Sequence, residues 1–316
     1  MNNLIYSLNA TMPIFLMILL GYIFNQMGML NEEFCKVANK FVYKISLPAM
    51  LLNNMMTCDI RRIFDGKYVG YCAVTTLVSI FMAWGIARIC LKDKSLVGEF
   101  VQGSYRGSAA ILGIALVENI SHNTTMAPLM MLGSVPLYNM FAVIVLTLES
   151  TGAEGTNKKE KIMEAGKDIC KNPVINSILG GMLLSYVGID FPQIIDKTII
   201  SVGSLTTPLA LLVIGAGFQG KKAVRNIKPA IGAAMIKLVV QPLLFLPIAV
   251  ALGFSADKIA AVLVMLGAPT TATAYVMARS HGHEGVLSTS VIVITTLLSA
   301  FTITAWIFVL RYFGII

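Results

Sequence analysis

The sequence repeats some of its glycines and prolines at a fixed distance of 160 residues. Five such pairs occur: Pro13 and Pro173, Gly21 and Gly181, Gly28 and Gly188, Pro48 and Pro208, and Gly107 and Gly267. A chain of this composition gives about one such match by chance. The spacing therefore indicates an internal duplication in which each copy takes about half of the chain.

Long apolar stretches fill both copies. Hydrophobic residues make up 56% of the chain and charged residues 13%, whereas soluble domains have about 25% charged residues. The stretches are about 20 residues long and do not alternate between apolar and polar residues, which favours membrane-spanning helices over strands. We predict an all-α polytopic membrane protein.

We predict ten transmembrane helices, five in each copy. Their approximate bounds are 5–27, 37–57, 68–87, 100–117, 124–148, 172–189, 198–220, 229–254, 259–278 and 285–310. Because five is odd, the second copy crosses the membrane in the opposite direction. The expected division is a first five-helix repeat (1–150), a cytoplasmic linker (151–171) and a second, inverted repeat (172–316). Inverted repeats of this kind are typical of secondary transporters.

The distribution of lysine and arginine predicts the orientation. If both termini lie outside, the inner loops hold fifteen of these residues, and the outer loops and the C-terminal end hold six. Cytoplasmic loops of membrane proteins are enriched in basic residues. We therefore expect both termini outside and the linker in the cytoplasm.

Three basic residues, Lys44, Arg106 and Lys237, fall inside predicted spans, and no carboxylate does. A charge at the centre of a membrane helix costs about 2.5–3.5 kcal/mol on insertion scales, so such a residue is a candidate for function. Lys44 is close enough to a span end for its ammonium to reach the interface. Arg106 and Lys237 lie deeper, and basic groups without acidic partners suggest an anionic solute.

Residues that break helices occur at equivalent positions of spans 4 and 9. Gly107 and Ser108 lie in span 4, and Gly267 and Pro269 lie in span 9, followed by Thr270 and Thr271. Two interrupted helices in inverted copies predict a transport site, where half-helix N-termini would face an anion. Close packing of helices through small residues is the alternative explanation.

Buried amides give a weaker signal in two other spans. Asn53 and Asn54 follow Pro48 in span 2, and Asn139 lies in span 5. An amide in an apolar span needs hydrogen-bond partners or a wet cavity. These residues are therefore further candidates for the lining of a solute site.

The residues of span 4 and of spans 9 and 10 resemble the auxin efflux carrier family of membrane transporters. Arg106 and Gly113 match the family pattern in span 4, and the matching segments in spans 9 and 10 are Pro269-Thr270-Thr271-Ala272, Tyr275-Val276-Met277-Ala278 and Leu287-Ser288-Thr289-Ser290. The usual asparagine of span 4 is Ser108 here, and a frequent proline is Ala115. The resemblance implies ten helices in two inverted repeats, a site where spans 4 and 9 cross, and export or exchange of organic anions.

These observations define the expected site and partners. The predicted substrate-binding residues are Arg106, Gly107, Ser108, Pro269, Thr270, Thr271, Asn53, Asn54, Asn139, Lys237 and Tyr275. The expected partners are a small organic anion and the lipid bilayer of the cell membrane, with no nucleic acid, no cofactor and no metal. A homodimer is implied only by the resemblance. We expect Pro269 to make span 9 the more sharply broken crossing helix, because its ring removes a backbone donor.

Two other classes of function stay open at this point. A sodium-coupled organic-anion symporter of the bile-acid type has a similar architecture, although the spans lack the carboxylates that sodium sites often use. An intramembrane lipid-modifying enzyme would need a nucleophile, a base or metal ligands at a common depth. The three histidines lie in predicted loops and the acids at span ends, which disfavours an enzyme.

Overall fold

The computed structural model describes residues 2–57, 65–108, 126–149, 171–189, 191–218 and 220–316. The predicted linker 151–171 lies almost entirely outside these ranges. Within them, the regular structure is helical. The α-helices are α1 (Asn2–Gln26), α2 (Glu32–Phe41), α3 (Leu47–Met56), α4 (Gly66–Cys90), α5 (Val97–Tyr105), α6 (Met126–Leu148), α7 (Pro173–Val187), α8 (Gln193–Ser204), α9 (Thr206–Ala216), α10 (Gly220–Arg225), α11 (Ile227–Met235), α12 (Gln241–Ala251), α13 (Ala256–Gly267), α14 (Thr273–Ser280) and α15 (Val286–Tyr312).

Five helical segments are long and apolar enough to cross a membrane. They are Gly66–Cys90, Met126–Leu148, Gln193–Ala216, Ile227–Ala251 and Val286–Tyr312. Thr11–Gln26 and Pro173–Val187 are shorter apolar helices. The prediction of an all-helical membrane protein is therefore confirmed for the described residues. Spans 2, 4 and 9 of the predicted ten are absent from these segments. A π-helical turn interrupts the regular helix of span 2, an extended segment divides span 9, and the second half of span 4 lies outside the described residues.

Prolines cause the two π-helical turns. The turns Val42–Ser46 and Ile236–Val240 each end two residues before a proline, Pro48 and Pro242. A proline ring in a regular helix would clash with the carbonyl four residues earlier. In both turns the next amide instead donates to a carbonyl five residues back, so the helix continues past the proline. The second turn contains Lys237 and directs this part of the helix into the interior.

One packed group consists of two matching helix pairs, and each pair joins the two halves of the sequence. Helix α1 packs on α9, and α7 packs on α3. Gly21 lies directly against the backbone of Leu212, and Gly181 lies against the backbone of Leu52, so that a Cβ atom at either glycine would clash. The two contacts are related by the same spacing, because Gly181 lies 160 residues after Gly21 and Leu52 lies 160 residues before Leu212. Glycine permits this close approach of two helices.

The other long helices form a second packed group, which contacts the first group where α15 packs on α1. Helix α4 packs on α5 and α6, and α11 and α12 pack on α15 and α13 respectively. Helix α6 also contacts α13, and α5 contacts α15. As a result the C-terminal ends of α5 and α13, which precede the two predicted breaks, come together in the interior of the protein.

Candidate functional site

The helix of span 4 stops at its predicted break. Helix α5 ends at Tyr105, and Arg106 has extended backbone angles of φ −73° and ψ 130°. Gly107 and Ser108 also lie outside any helix. The rest of the span, with Gly113 and Ala115, lies outside the described residues. The described part therefore ends in a short extended segment with Arg106 at its start.

The helix of span 9 is interrupted over five residues. Helix α13 ends at Gly267, and α14 begins at Thr273. Ala268 has extended angles of φ −65° and ψ 148°, as expected for the residue before a proline. The interruption predicted from Gly267 and Pro269 is therefore present. Whether span 4 is broken less sharply stays a prediction, because its second half lies outside the described residues.

Hydrogen bonds join the two breaks directly. The amide of Ser108 donates to the carbonyl of Pro269 at 2.9 Å. The Thr270 hydroxyl donates to the carbonyl of Gly103 at 2.7 Å, and the Thr270 amide donates to the Thr295 hydroxyl at 3.1 Å. Pro269 and Thr270 therefore hold the two extended segments across each other. Their own polar groups are largely used in this contact.

Arg106 is the centre of a buried polar cluster and is only 3% exposed. Its Nη2 donates to Asn139 Oδ1 at 3.0 Å and to Thr273 Oγ1 at 2.9 Å. Its Nη1 donates to Gln102 Oε1 at 3.1 Å and to the sulfur of Met277. All four acceptors are neutral, so the cluster orients the guanidinium without cancelling its charge.

Two donors of this cluster remain unused. Arg106 Nε and Gln102 Nε2 are buried and have no hydrogen-bond partner in the part of the chain that the structure describes. No carboxylate of the described ranges forms an ion pair with Arg106. Buried polar groups in proteins are nearly always hydrogen-bonded. A positive charge with spare donors is the arrangement expected beside an anion.

A small cavity lies next to this cluster. Its volume is about 50 Å³, which accommodates one or two water molecules. It lies between α3 and α9 on one side and the two breaks and α6 on the other. Six predicted site residues line it: Arg106, Gly107, Ser108, Asn54, Asn139 and Thr271. The structure thus brings together the two breaks and amides from two other spans.

Lys237 lies beside the crossing but outside this cavity. Its side chain is fully buried, and its Nζ donates to the carbonyls of Tyr105 at 3.2 Å and of Met265 at 2.9 Å. It does not line the 50 Å³ cavity. The ammonium is directed at the C-terminal ends of α5 and α13.

The remaining predicted residues lie outside the cavity. Asn53 is half-buried in an apolar groove between α1, α3, α8 and α9. Tyr275 lines a larger vestibule of about 590 Å³. The basic residues of that vestibule are Lys36, Lys40, Lys44 and Arg279, and it also contains Glu32 and Glu284. Lys44 is exposed there, in agreement with a side chain that reaches the interface.

Sequence reasoning missed three residues of this region. Gln102 lies one turn before Arg106 on the same helix, and that spacing was a usable signal. Thr273 begins α14 and reaches Arg106 only through the fold. Glu99 is 1% exposed, and its carboxylate accepts from the amides of Gly285 and Ser288 at the start of α15. It therefore caps a helix N-terminus, where negative charge is stabilising.

Comparison with known proteins agrees with a membrane protein built of apolar helices. The family model described as "Membrane transport protein" matches residues 6–307. A protein of Rhizobium meliloti named "Putative malonate transporter" is 22% identical over 307 residues, which cover 95% of this chain and 94% of that protein. The "Uncharacterized transporter YfdV" of Escherichia coli K12 is 21% identical, covering 98% of this chain and 99% of that protein. The chain belongs to this family of membrane transport proteins, the auxin efflux carrier family, and is a multi-pass protein of the cell membrane.

Proposed function

We propose that this protein is a carrier that moves small organic anions, by export or exchange of carboxylates, at the crossing of spans 4 and 9. The observation that carries the proposal is the buried Arg106, which has neutral partners and an unused Nε. An uncompensated charge at this depth costs several kcal/mol, and a bound carboxylate would offset that cost. Arginine binds carboxylates through charge-assisted, often bidentate hydrogen bonds.

The neighbours of Arg106 would complete the anion site. Ser108 and Thr271 have hydroxyl groups, and Asn54 has an amide, in the lining of the same cavity. These groups could donate to a second carboxylate or to a carbonyl of the solute. The relative named for malonate supports a short dicarboxylate as the first substrate to test.

We further propose the architecture of two inverted repeats with ten transmembrane helices. Residues 1–150 and 172–316 would form the repeats, and 151–171 the cytoplasmic linker. The reciprocal contacts of Gly21 and Gly181 support this arrangement, as does the meeting of two helix ends at Tyr105 and Met265, which are 160 residues apart. The fifteen-to-six distribution of basic residues supports outer termini.

Alternating access would open and close the site between the two groups of helices. The 50 Å³ cavity is too small for a dicarboxylate, so the site would have to widen before the solute binds. Helices α3 and α9 belong to one packed group, and the crossing belongs to the other. A movement between the groups would enlarge the cavity toward the basic vestibule at one end or toward the apolar groove at the other. The vestibule would attract anions through its lysines.

Exchange of labelled malonate in proteoliposomes tests the proposal. We expect the wild-type protein to exchange external labelled malonate for internal malonate, and Arg106→Gln to lose this activity while inserting normally. Arg88→Gln is the matched control, because Arg88 is an exposed arginine that pairs with Glu149. Normal exchange by correctly inserted Arg106→Gln would contradict the role of Arg106. Absence of exchange by the wild-type protein with malonate and with other short carboxylates would contradict the function.

A further inference from the structure

Lys237 links the two broken helices at equivalent atoms. Its Nζ donates to the Tyr105 carbonyl of α5 and to the Met265 carbonyl of α13, which are 160 residues apart in sequence. We propose that two helix ends form a cation site and that the Lys237 ammonium permanently occupies it. A coupled carrier would bind a metal ion such as Na⁺ in the same place. The crossing is then held together, and the anion is bound, without sodium.

The C-terminal end of α5 shows that this site is fully assembled. The last four carbonyls of a helix have no partner within the helix. Here the Gln102 carbonyl accepts from the Arg106 amide, and the other three accept from groups outside the helix. The Gly103 carbonyl accepts from Thr270 Oγ1, the Ser104 carbonyl from Gln241 Nε2, and the Tyr105 carbonyl from Lys237 Nζ. Span 8 therefore supplies two of the donors, one helical turn apart.

The electrostatics of the site call for a positive charge. Each helix C-terminus has a partial negative charge of about half an electron. Two such ends converge on Lys237, and no carboxylate of the described ranges pairs with the ammonium. Carbonyl oxygens at the ends of half-helices are the groups that coordinate sodium or protons in broken-helix transporters. The ammonium thus occupies a position that is suited to a small cation.

Gly107 shows that little space is left for another ion. A Cβ atom at Gly107 would lie 3.0 Å from Lys237 Nζ and 3.0 Å from the Met265 carbonyl oxygen. The backbone of the first break therefore passes directly over the ammonium. A metal ion could enter only if the lysine side chain left.

If Lys237 fills the cation site, the proposed carrier would need no metal ion for transport, and only this consequence rests on the proposed function. The cation site itself can be tested on purified full-length protein without any anion. Replacement of Lys237 by alanine removes three methylene groups and the ammonium, and n-propylammonium has the same atoms. Thermal unfolding would be followed for the wild type, Lys237→Ala and Lys237→Met, in choline chloride and in equal concentrations of n-propylammonium or sodium chloride.

We expect the wild type to have the same unfolding midpoint in choline and sodium. Lys237→Ala should unfold at a lower temperature, and n-propylammonium should raise its midpoint saturably toward the wild-type value, as a bound ligand does. Sodium should also raise it, by less. Lys237→Met cannot regain the charge because its side chain fills the space, so it should stay destabilised in all three salts.

Two results would overturn the inference. One is a Lys237→Met protein as stable as the wild type, since a cation would then not be needed. The other is a Lys237→Ala midpoint that neither cation raises by more than it raises that of the wild type. If neither variant folds, the wild type alone decides: sodium-independent malonate binding supports the inference, and a sodium requirement overturns it. A wild type that binds no carboxylate would contradict the proposed function, while the effect of n-propylammonium would still test the cation site.

Discussion

Arg106 and Lys237 are both basic, buried and next to the same pair of broken helices, yet their surroundings differ. The Arg106 guanidinium is held by neutral side chains and keeps an unused donor beside a cavity. The Lys237 ammonium is held by two main-chain carbonyls at helix ends and lines no part of that cavity. Depth in the membrane alone therefore does not identify a substrate-binding charge. We propose that the type of acceptor around the charge separates a group that binds substrate from one that stabilises the crossing.

Asn139→Asp gives the largest expected effect on the Arg106 side of this comparison. The new carboxylate would replace an amide oxygen that lies 3.0 Å from Arg106 Nη2 and would form a permanent ion pair with it. We expect malonate affinity to fall by about a hundredfold or more, since hydrogen bonds to charged groups contribute about 1.5–3 kcal/mol each. The unfolding midpoint should rise. Asn139→Ala is the control, because it removes the amide but leaves the charge free, and it should weaken binding less. Wild-type affinity in Asn139→Asp would contradict a substrate role for Arg106.

Pro269→Ala tests whether transport needs the interruption of span 9, which holds this span against span 4. An alanine restores a backbone donor and permits helical angles at positions 268 and 269. A more continuous helix would remove the Pro269 carbonyl from the Ser108 amide. We expect malonate exchange in proteoliposomes to fall by about tenfold, which corresponds to about 1.4 kcal/mol, without loss of thermal stability. Pro247→Ala, in the interior of α12, is a matched proline control. Unchanged exchange would show that the break is incidental.

Glu99→Ala should affect stability and leave anion affinity alone. Glu99 accepts two backbone hydrogen bonds at the start of α15 and does not line the cavity beside Arg106. Removal of this buried cap should cost about 2–4 kcal/mol, and the unfolding midpoint would be measured with malonate affinity. Glu33→Ala is the control, because Glu33 is an exposed glutamate on α2 that does not line the vestibule. A loss of affinity in folded Glu99→Ala would mean that the substrate region extends to this carboxylate.

The smallest expected effect is at Asp65, at the start of α4. The hydrogen bond from Lys258 lowers the pKa of Asp65, helped by the backbone amide of Tyr68. Because the pKa is lower in the folded state, the stabilisation is present above the ordinary aspartate pKa and is lost as the pH falls through the folded value. Asp65→Asn should therefore lower stability by about 0.2–1 kcal/mol at neutral pH. The difference from wild type should vanish in acid, as thermal unfolding against pH would show. A difference that persists in acid would assign the effect to helix capping.

Local chemistry explains what the sequence predicted well. The ring of Pro269 and the flexibility of Gly267 act on their own backbone, so the interruption of span 9 could be predicted at the correct residues. The apolar length of a span is also a local property, and most described helices begin and end within a few residues of the predicted bounds. Spans 2 and 7 begin five residues earlier than predicted, at Glu32 and Gln193, and the second half of span 4 lies outside the described residues.

The partners of the buried charges were not predictable in this way. Lys237 meets carbonyls 132 and 28 residues away along the chain, and Glu99 meets amides 186 and 189 residues away. Such contacts depend on how the helices assemble. A lysine near the middle of a span therefore gave the same signal as Arg106, although its surroundings are different.

The central claim is that the guanidinium of Arg106, whose charge has no acidic partner in the described residues, binds a carboxylate. Calorimetric titration of the purified wild type and Arg106→Gln, each with malonate and with the neutral malonamide, tests it most directly. We predict that the wild type binds malonate and not malonamide, and that Arg106→Gln loses malonate binding while staying folded, as a cooperative unfolding transition would show. Equal malonate affinity in the two proteins, or equal affinity of the wild type for malonate and malonamide, would contradict the account.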